Sequence, residues 1–369
     1  MSEHVDTVVI GGGQAGLTTG YFLSQHPGSY LVVDANERVG DAWRKRWDSL
    51  RLFTPALFDG LPGMKMRAPR WSFPTKDEMA DYLEAYAQRF GLAVRTGTSV
   101  DTLKKDGDRF VVMAGGDRIE ADNVVVATGI YRAPKVPPFA AELDPRIVQM
   151  HSSCYRNPAQ LQAGDVLVVG AGNSGAEIAY ELAATHRCVL AGKTGGEIPV
   201  RHGSIPARAF FHVFRFVMHR VARVDTPIGR KIRAKKGTTD PLIRRREKDL
   251  LAVGVDRAPR VVGTEDGRPV LEDGRVLDVA NVVWCTGYRS DYGWIDLPIL
   301  DDDGRPQHYR GVVEGEPGLY FVGLKFQYSA SSDVLPNQGR DAKYVTEHIA
   351  ARLAERGAAA TGDAALAAA

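Results

Sequence analysis

Cysteine is scarce in this sequence. Of its 369 residues three are cysteine, namely Cys154, Cys188 and Cys285, and none of them forms a Cys-x-x-Cys motif. Dithiol redox centres and cysteine-rich zinc sites need that spacing, so we predict neither of them and no metal site. A low and odd number of cysteines is typical of proteins in a reducing compartment, which favours a cytoplasmic location.

Long hydrophobic runs are missing as well. No stretch of roughly 18 apolar residues occurs, and we therefore predict no transmembrane segment. The chain starts with acidic residues and continues at once with a strand-like run from Val5 to Ile10, so we expect no secretory signal. With 47 Lys and Arg against 45 Asp and Glu the formal net charge is +2, which argues against a nucleic-acid-binding protein.

Glycine, in contrast, occurs in a motif that is present twice. Residues 11–16 (GGGQAG) and 170–175 (GAGNSG) each follow an apolar run and precede a helix-like segment. A second matching pair lies downstream, at residues 123–129 (NVVVATG) and 281–287 (NVVWCTG). The chain therefore repeats one unit, and the glycine spacing predicts an α/β fold with two Rossmann-like dinucleotide-binding domains. In each, the backbone and the helix N-terminus would hold a pyrophosphate.

The residue that ends the next strand differs between the two repeats. Asp34 stands 23 residues after Gly11, and Lys193 stands 23 residues after Gly170. A carboxylate at this place accepts hydrogen bonds from a ribose diol, whereas a basic side chain pairs with a ribose 2′-phosphate. We predict an unphosphorylated ribose in the first site and NADPH in the second, where Thr194 and Arg201 would assist. The alternative for Lys193 is a solvated lysine without a ligand.

Several further segments occur in the same order as in a known family. The GGGQAG motif, Asp34, residues 40–43 (GDAW), residues 49–55 (SLRLFTP), the GAGNSG motif and residues 285–289 (CTGYR) together resemble the flavin-containing monooxygenases. More narrowly, nearly the whole chain is similar to the short bacterial members, which also resemble the YUCCA-type enzymes of plants. The resemblance implies FAD at the first motif, NADPH at the second, and an NADPH domain inserted into the FAD domain.

The resemblance also implies which residues bind the cofactors. For FAD these are Gly11, Gly13, Gln14, Ala15, Gly16, Asp34, Trp43, Arg44, Leu52, Thr128, Gly129 and Gly339. For NADPH they are Gly170, Gly172, Asn173, Ser174, Gly175, Lys193, Thr194, Arg201, Thr286 and Gly287. Candidates beside the flavin are Phe53, Thr54, Gln327 and His151. His151 has two interpretations, a general base or a linker residue that orients the NADPH domain, and we favour the second.

Two positions depart from the family pattern. Many members carry Asn where Phe53 stands, and Phe53 lacks the amide that could bond the nicotinamide. Pro145 and Ile147 replace the Phe and Gly of the fingerprint between the domains, although His151 and Tyr155 are kept. The Trp-Asp ending of that fingerprint is absent, which argues against the best-known Baeyer–Villiger subgroup.

The implied activity is that of an NADPH-dependent flavoprotein monooxygenase. Such an enzyme transfers one oxygen atom from a flavin C4a-(hydro)peroxide to a small nucleophilic substrate, an amine or a sulfide, and the flavin does the demanding chemistry. Its partners would be that substrate and O₂, and a homodimer stays open. One alternative is an NADPH-dependent flavin reductase or diaphorase that passes electrons to a carrier. Another is a nucleotide-binding sensor or inactive flavoprotein that docks a partner.

The domain boundaries follow from these motifs. We expect FAD binding from residues 1–152 and 291–356, NADPH binding from residues 153–290, and a flexible tail at residues 357–369 after a helix that ends at Arg356.

Residues 201–250 form a basic insertion in the second domain. The segment has 14 Lys and Arg against 4 Asp and Glu, a net charge of +10, so the rest of the chain carries −8. A helix that begins at Ser204 would place Phe210, Phe214, Val217 and Val221 on one face. We favour an aromatic face packed on the second domain. A membrane-surface helix and a lid that attracts phosphates are the alternatives.

Overall fold

The computed structural model describes residues 2–234, 240–335 and 337–367, so residues 235–239 of the basic insertion and residues 368–369 of the expected tail lie outside the described residues. The strands are β1 (Ser2–Ile10), β2 (Tyr30–Val33), β3 (Val94–Arg95), β4 (Val100–Asp106), β5 (Arg109–Ala114), β6 (Asp117–Val126), β7 (Ala133–Pro134), β8 (Val148–His151), β9 (Val166–Val169), β10 (Cys188–Ala191), β11 (Asp256–Ala258), β12 (Val261–Glu265), β13 (Arg268–Leu271), β14 (Asn281–Trp284), β15 (Tyr288–Arg289) and β16 (Leu319–Phe321). The α-helices are α1 (Gln14–Leu23), α2 (Asp41–Arg44), α3 (Lys76–Arg89), α4 (Asn173–Leu182), α5 (Ile205–Phe216), α6 (Pro227–Ala234), α7 (Glu247–Ala252) and α8 (Gln338–Ala367).

The first sheet takes strands from both ends of the chain. Its order is β3-β2-β1-β6-β5-β4, and β16 also pairs with β6. The pairs among β1, β2, β3, β6 and β16 are parallel, whereas β4, β5 and β6 form an antiparallel extension. Val8, Val9 and Val124 are fully buried, as expected for parallel strands that are covered on both faces.

The second sheet lies, in sequence, between β6 and β16. Its five strands are all parallel in the order β11-β10-β9-β14-β8. Helix α1 connects β1 to β2, and α4 connects β9 to β10 in the same way. This arrangement confirms the predicted fold class, two Rossmann-like domains of which the second is inserted into the first.

The chain crosses between the two sheets twice, and the two crossings pair with each other. β7 and β15 are antiparallel, with Tyr288 opposite Pro134 and Arg289 opposite Ala133. The Lys135 N–H also donates to the carbonyl oxygen of Gly287 at 2.9 Å. The two connections between the sheets are therefore bonded side by side.

Two helix predictions were wrong. Helix α8 does not end at Arg356 but continues to Ala367, because alanine has the highest helix propensity and dominates this stretch. Helix α5 buries Ala207 and Phe211 rather than the face of Phe210 and Phe214. Its contact is not the second domain but Phe58 and Trp71 of the first.

Among the described helices, no segment has both the length and the apolar character that crossing a membrane requires.

Candidate functional site

The two glycine-rich turns have the same geometry. Gly11 and Gly170 adopt φ values of 111° and 108°, which favour glycine. A Cβ on Gly11 would lie 2.6 Å from the Ala127 carbonyl oxygen, and a Cβ on Gly170 would lie 2.3 Å from that of Cys285. In both repeats the first glycine therefore packs on the chain that leaves the neighbouring central strand.

The third glycine of each motif is just as constrained. A Cβ on Gly16 would lie 1.7 Å from the Gly11 carbonyl oxygen, and one on Gly175 would lie 1.8 Å from that of Gly170. Each helix thus packs directly on its own turn, and no larger residue fits. The repeat that the sequence predicts is therefore also present in the structure, where the same backbone contact between the third and first glycine occurs in both motifs.

The starts of α1 and α4 suit the pyrophosphates of two dinucleotides. Their N-cap residues, Gly13 and Gly172, supply no side-chain cap to the first-turn N–H groups. Space is open in front of the first helical turn of α1, because a Cβ on Gly13 would meet no atom within 4 Å. Uncapped N–H groups and the positive end of the helix dipole bind phosphate, so the FAD and NADPH phosphates fit here.

Asp34 follows β2 and bonds the first turn. Its carboxylate accepts the Gly12 N–H at 2.5 Å and, on the other oxygen, the Asn36 backbone and amide N–H groups at 2.7 and 2.9 Å. A carboxylate has about four lone-pair sites, so acceptor capacity is left for a ribose diol.

The short helix α2 is tied to the same turn. The Trp43 indole N–H donates to the Gln14 side chain at 3.3 Å. The Arg44 guanidinium instead donates to the Val39 carbonyl oxygen at 2.7 Å and to Asp81 and Glu84 at 2.9 and 3.0 Å. Arg44 therefore holds α2 against α3, and its positive charge is paired with the carboxylates of Asp81 and Glu84.

Lys193 lies beside the second turn. It is exposed and directly follows Gly192, whose Cβ would lie 3.4 Å from the Ala171 nitrogen. Thr194 is half-buried and Arg201 is exposed.

Asn173, at the start of α4, uses its side chain on the protein itself. Its amide nitrogen donates to the Pro241 carbonyl oxygen at 3.0 Å, and its amide oxygen accepts the Ile243 N–H at 2.9 Å. The side chain of Asn173 therefore anchors residues 241–243 on α4. Only its backbone N–H, in the first helical turn of α4, is left to bind a phosphate. Ser174 is half-buried in the same turn.

The Thr-Gly pairs after β6 and β14 have different surroundings. Thr128 lies against the first turn, since a Cβ on Gly11 would be 3.2 Å from its Cα, and Gly129 borders open space. The Thr286 hydroxyl donates to the Lys135 carbonyl oxygen, and Gly287 also bonds Lys135. Thr286 and Gly287 therefore hold the two crossings together.

Three segments converge next to the first turn. Leu17 of α1, Leu52, Leu61 and Leu335 share one hydrophobic cluster. A Cβ on Gly339 would lie 2.7 Å from the Pro62 ring, so the start of α8 touches the same loop. The buried Gln338 side-chain oxygen there has no hydrogen-bond partner among the described residues. Such an atom suits a polar ligand edge like that of the flavin ring.

The loop between Phe53 and Asp59 carries a buried acid that the sequence did not single out. The Thr54 hydroxyl donates to one oxygen of Asp59, and the other oxygen has no partner among the described residues. Asp59 is fully buried, and this desolvation raises its pKa to about 8. Asp59 is therefore a neutral acid at neutral pH.

His202 was also missed by the sequence analysis. Its Nε2 donates to the Phe53 carbonyl oxygen at 2.8 Å, and its ring lies 3.9 Å from that of Phe73. Burial lowers its pKa, so the ring is neutral near pH 7. The basic insertion thus contacts the Phe53 loop through a neutral imidazole, a contact between distant segments that no local motif reveals.

Gln327 does not present a free side chain. Its amide oxygen accepts the N–H groups of Gly323 and Leu324, and its amide nitrogen donates to the carbonyl oxygens of Arg310 and Phe321. All four hydrogen-bonding positions are occupied. This amide fixes the loop after β16, and the place of Gln327 beside the flavin stays a prediction.

His151 bonds to its own loop and to the second crossing. Its Nδ1 accepts the Ser153 N–H at 3.1 Å, and its Nε2 donates to the Gly287 carbonyl oxygen at 3.0 Å. Burial lowers its pKa. With both nitrogens engaged and the ring neutral, this geometry favours the linker interpretation over the general base.

Comparisons with known proteins find relatives over most of this chain. A family model described as pyridine nucleotide-disulphide oxidoreductase matches residues 8–202, and a second with that description matches residues 114–304. An uncharacterized oxidoreductase CzcO-like from Geobacillus kaustophilus is 40% identical, over 95% of this chain and 99% of its own. A probable indole-3-pyruvate monooxygenase, YUCCA9 from Arabidopsis thaliana, is 26% identical, over 89% of this chain and 86% of its own.

A solved structure is similar over the same length. The flavin-containing monooxygenase from Stenotrophomonas maltophilia is 27% identical, with a TM-score of 0.77, over 95% of this chain and 99% of its own. The matches thus extend over both nucleotide-binding turns and the connections between them. The chain therefore belongs to the flavin-containing monooxygenases, within the pyridine nucleotide-disulphide oxidoreductases, and is a flavoprotein oxidoreductase whose cofactors are FAD and NADPH.

Proposed function

We propose that this enzyme transfers one oxygen atom from O₂ to a small amine or sulfide, with NADPH as the reductant. The observation that carries the proposal is a pair of uncharged groups at the loop beside Phe53. Asp59 holds its proton there, and His202 is uncharged. A substrate that attacks with its own lone pair needs no protein base, and a protonated Asp59 offers no negative charge that would hold an amine as a cation.

The cofactor contacts follow from the same geometry. We assign residues 1–152 and 291–356 to FAD and residues 153–290 to NADPH. Asp34 would bind the FAD ribose, and Lys193 would pair with the 2′-phosphate of NADPH. Bound FAD would pass electrons from NADPH to O₂, of which one oxygen atom goes to the substrate and the other leaves as water.

The protein's own contribution is positioning and water exclusion. Buried Leu52 and Leu61 keep water from the loop, which strengthens polar contacts inside the site. The Asp59 carboxyl orients the Thr54 hydroxyl, and its second oxygen can present a proton to a bound group. His202 fixes the backbone at Phe53, and the exposed Phe53 ring would contact the substrate.

Isotope transfer tests the proposal on the FAD-loaded enzyme. With NADPH, ¹⁸O₂ and either thioanisole or N,N-dimethylaniline, we expect a singly labelled sulfoxide or N-oxide formed in step with NADPH oxidation. Unlabelled substrate together with hydrogen peroxide equal to the NADPH consumed would contradict the proposal. If ferricyanide or cytochrome c were then reduced rapidly, the reductase alternative would replace it.

A further inference from the structure

Helix α5 has a second apolar face that no described residue covers. Its first face, Ala207 and Phe211, packs on Phe58 and Trp71. The second face consists of the exposed residues Ile205, Ala209, Val213, Phe216 and Val217. Their spacing of three or four residues places them in one stripe along the helix. Ile205, Val213 and Phe216 are 77%, 62% and 63% exposed, values that are unusual for such side chains.

The orientation of α5 is fixed by contacts on its other side. The Arg208 guanidinium lies 5.3 Å from the centre of the Trp71 ring, and that of Arg215 lies 5.4 Å from the Phe58 ring. The His212 ring meets Phe58 edge-on at 5.1 Å. These cation–π and aromatic contacts hold the buried face in place, so the exposed stripe cannot turn inward.

Helix α6, which follows α5 in the chain, also exposes apolar side chains. Its exposed residues Ile228 and Ile232 are one turn apart, and Arg230, Lys231 and Arg233 lie among them. A Cβ on Gly229 would lie 1.8 Å from the Arg223 carbonyl oxygen, so α6 packs closely on the turn before it. That turn is bonded to the first domain, where Val224 N–H donates to the Tyr328 carbonyl oxygen at 2.8 Å.

The segment that carries the stripe is strongly positive as a whole. Residues 205–234 contain seven Lys and Arg and a single acidic residue, Asp225, for a net charge of +6. A second copy of this chain docked face to face would bring two such charges together, which disfavours a symmetric dimer through this surface. Apolar side chains flanked by Arg and Lys instead match a surface that is apolar inside and anionic outside.

We propose that the α5–α6 surface, residues 205–234, docks this enzyme peripherally on a bilayer of anionic phospholipids. Val213 and Phe216 enter the boundary between headgroups and acyl chains. Arg230, Lys231 and Arg233 pair with lipid phosphates, and attraction of this kind adds up over the basic residues near the surface. The proposal does not depend on which substrate is oxygenated.

Vesicle flotation of the FAD-loaded full chain tests the proposal. We expect the protein to float with phosphatidylcholine vesicles that contain about a third phosphatidylglycerol, and not with phosphatidylcholine alone. The bound fraction should fall in about 0.5 M sodium chloride, because salt screens the charge attraction.

Matched variants locate the surface. Val213→Ser with Phe216→Ser, and separately Arg230→Gln with Lys231→Gln and Arg233→Gln, should each weaken partitioning about tenfold or more. Leu251→Ser with Val262→Ser changes exposed apolar residues elsewhere, and Lys104→Gln with Arg268→Gln and Arg305→Gln removes the same charge elsewhere. Both control variants should float like the parent, and the FAD absorbance of every variant reports that it is folded.

Two results would overturn the proposal. The first is equal, weak flotation with anionic and neutral vesicles at low salt. The second is a dimer in sedimentation that Val213→Ser with Phe216→Ser dissociates, without vesicle binding by the parent. That outcome would make the stripe an interface between two copies.

Discussion

At the scale of single residues, two strand-end side chains distinguish the nucleotide sites. Asp34 bonds the first turn, whereas Lys193 stands exposed beside the second. We expect Lys193→Asp to raise the KM for NADPH about tenfold more than the KM for NADH, because the aspartate repels the 2′-phosphate that lysine pairs with. Steady-state kinetics with both coenzymes measure this ratio. Lys104→Asp is the control, and equal changes in both KM values would refute the assignment.

Asp59 makes stability depend on pH in a defined direction. Its pKa is about 8 in the folded protein against 3.8 for an ordinary aspartate. Between these values the folded protein keeps a proton that the unfolded chain has lost, so this contribution is complete below pH 4 and is lost as the pH rises to about 8. Asp59→Asn removes it, and the free energy of unfolding of the variant should fall less from pH 5 to pH 8. Urea titrations of the FAD-loaded proteins test this, and parallel curves would contradict it.

The sequence predicted those site residues whose role depends on local geometry. The glycine spacing identified Gly11, Gly16, Gly170 and Gly175. Only glycine fits at these positions, because a Cβ would strike the backbone of the same turn or of the chain after the adjacent strand. Asp59 was missed because its burial arises where residues distant in sequence pack together. A carboxylate in a loop gives no signal of this kind.

At the scale of helices, periodicity predicted α5 but not its orientation. Three faces of this helix carry apolar or basic residues, and the sequence pattern favoured burial of the face that carries Phe210 and Phe214. The buried face is instead that of Ala207 and Phe211, because a small residue there lets the helix approach Trp71 and Phe58 closely. Which apolar face is covered depends on the partner's shape, and that information lies more than a hundred residues away in the chain.

At the scale of the whole molecule, His151 connects the end of β8 to the second crossing between the sheets, at Gly287. His151→Gln keeps a donor for the Gly287 carbonyl oxygen, whereas His151→Ala removes it. If His151 orients the NADPH domain, the Gln variant should retain most of the rate of flavin reduction by NADPH and the Ala variant should be several-fold slower. Stopped-flow reduction under anaerobic conditions measures both rates.

The pH profile separates this role from that of a base. Both His151 variants should keep the shape of the parent's kcat profile between pH 6 and 9, because a neutral linker transfers no proton. Equal rate losses in the two variants, with one limb of the profile missing, would establish the general base instead.

The side-by-side crossings also bear on how such enzymes diversify. The segment that contains the second sheet leaves the first sheet through Ala133–Pro134 and returns to it through Tyr288–Arg289. These two short strands pair with each other. Because its two ends meet at one place, recombination can exchange this segment between related genes without rerouting the rest of the chain. With NADPH assigned to this segment as proposed, a lineage can acquire a new coenzyme preference in a single genetic event while the first sheet stays unchanged.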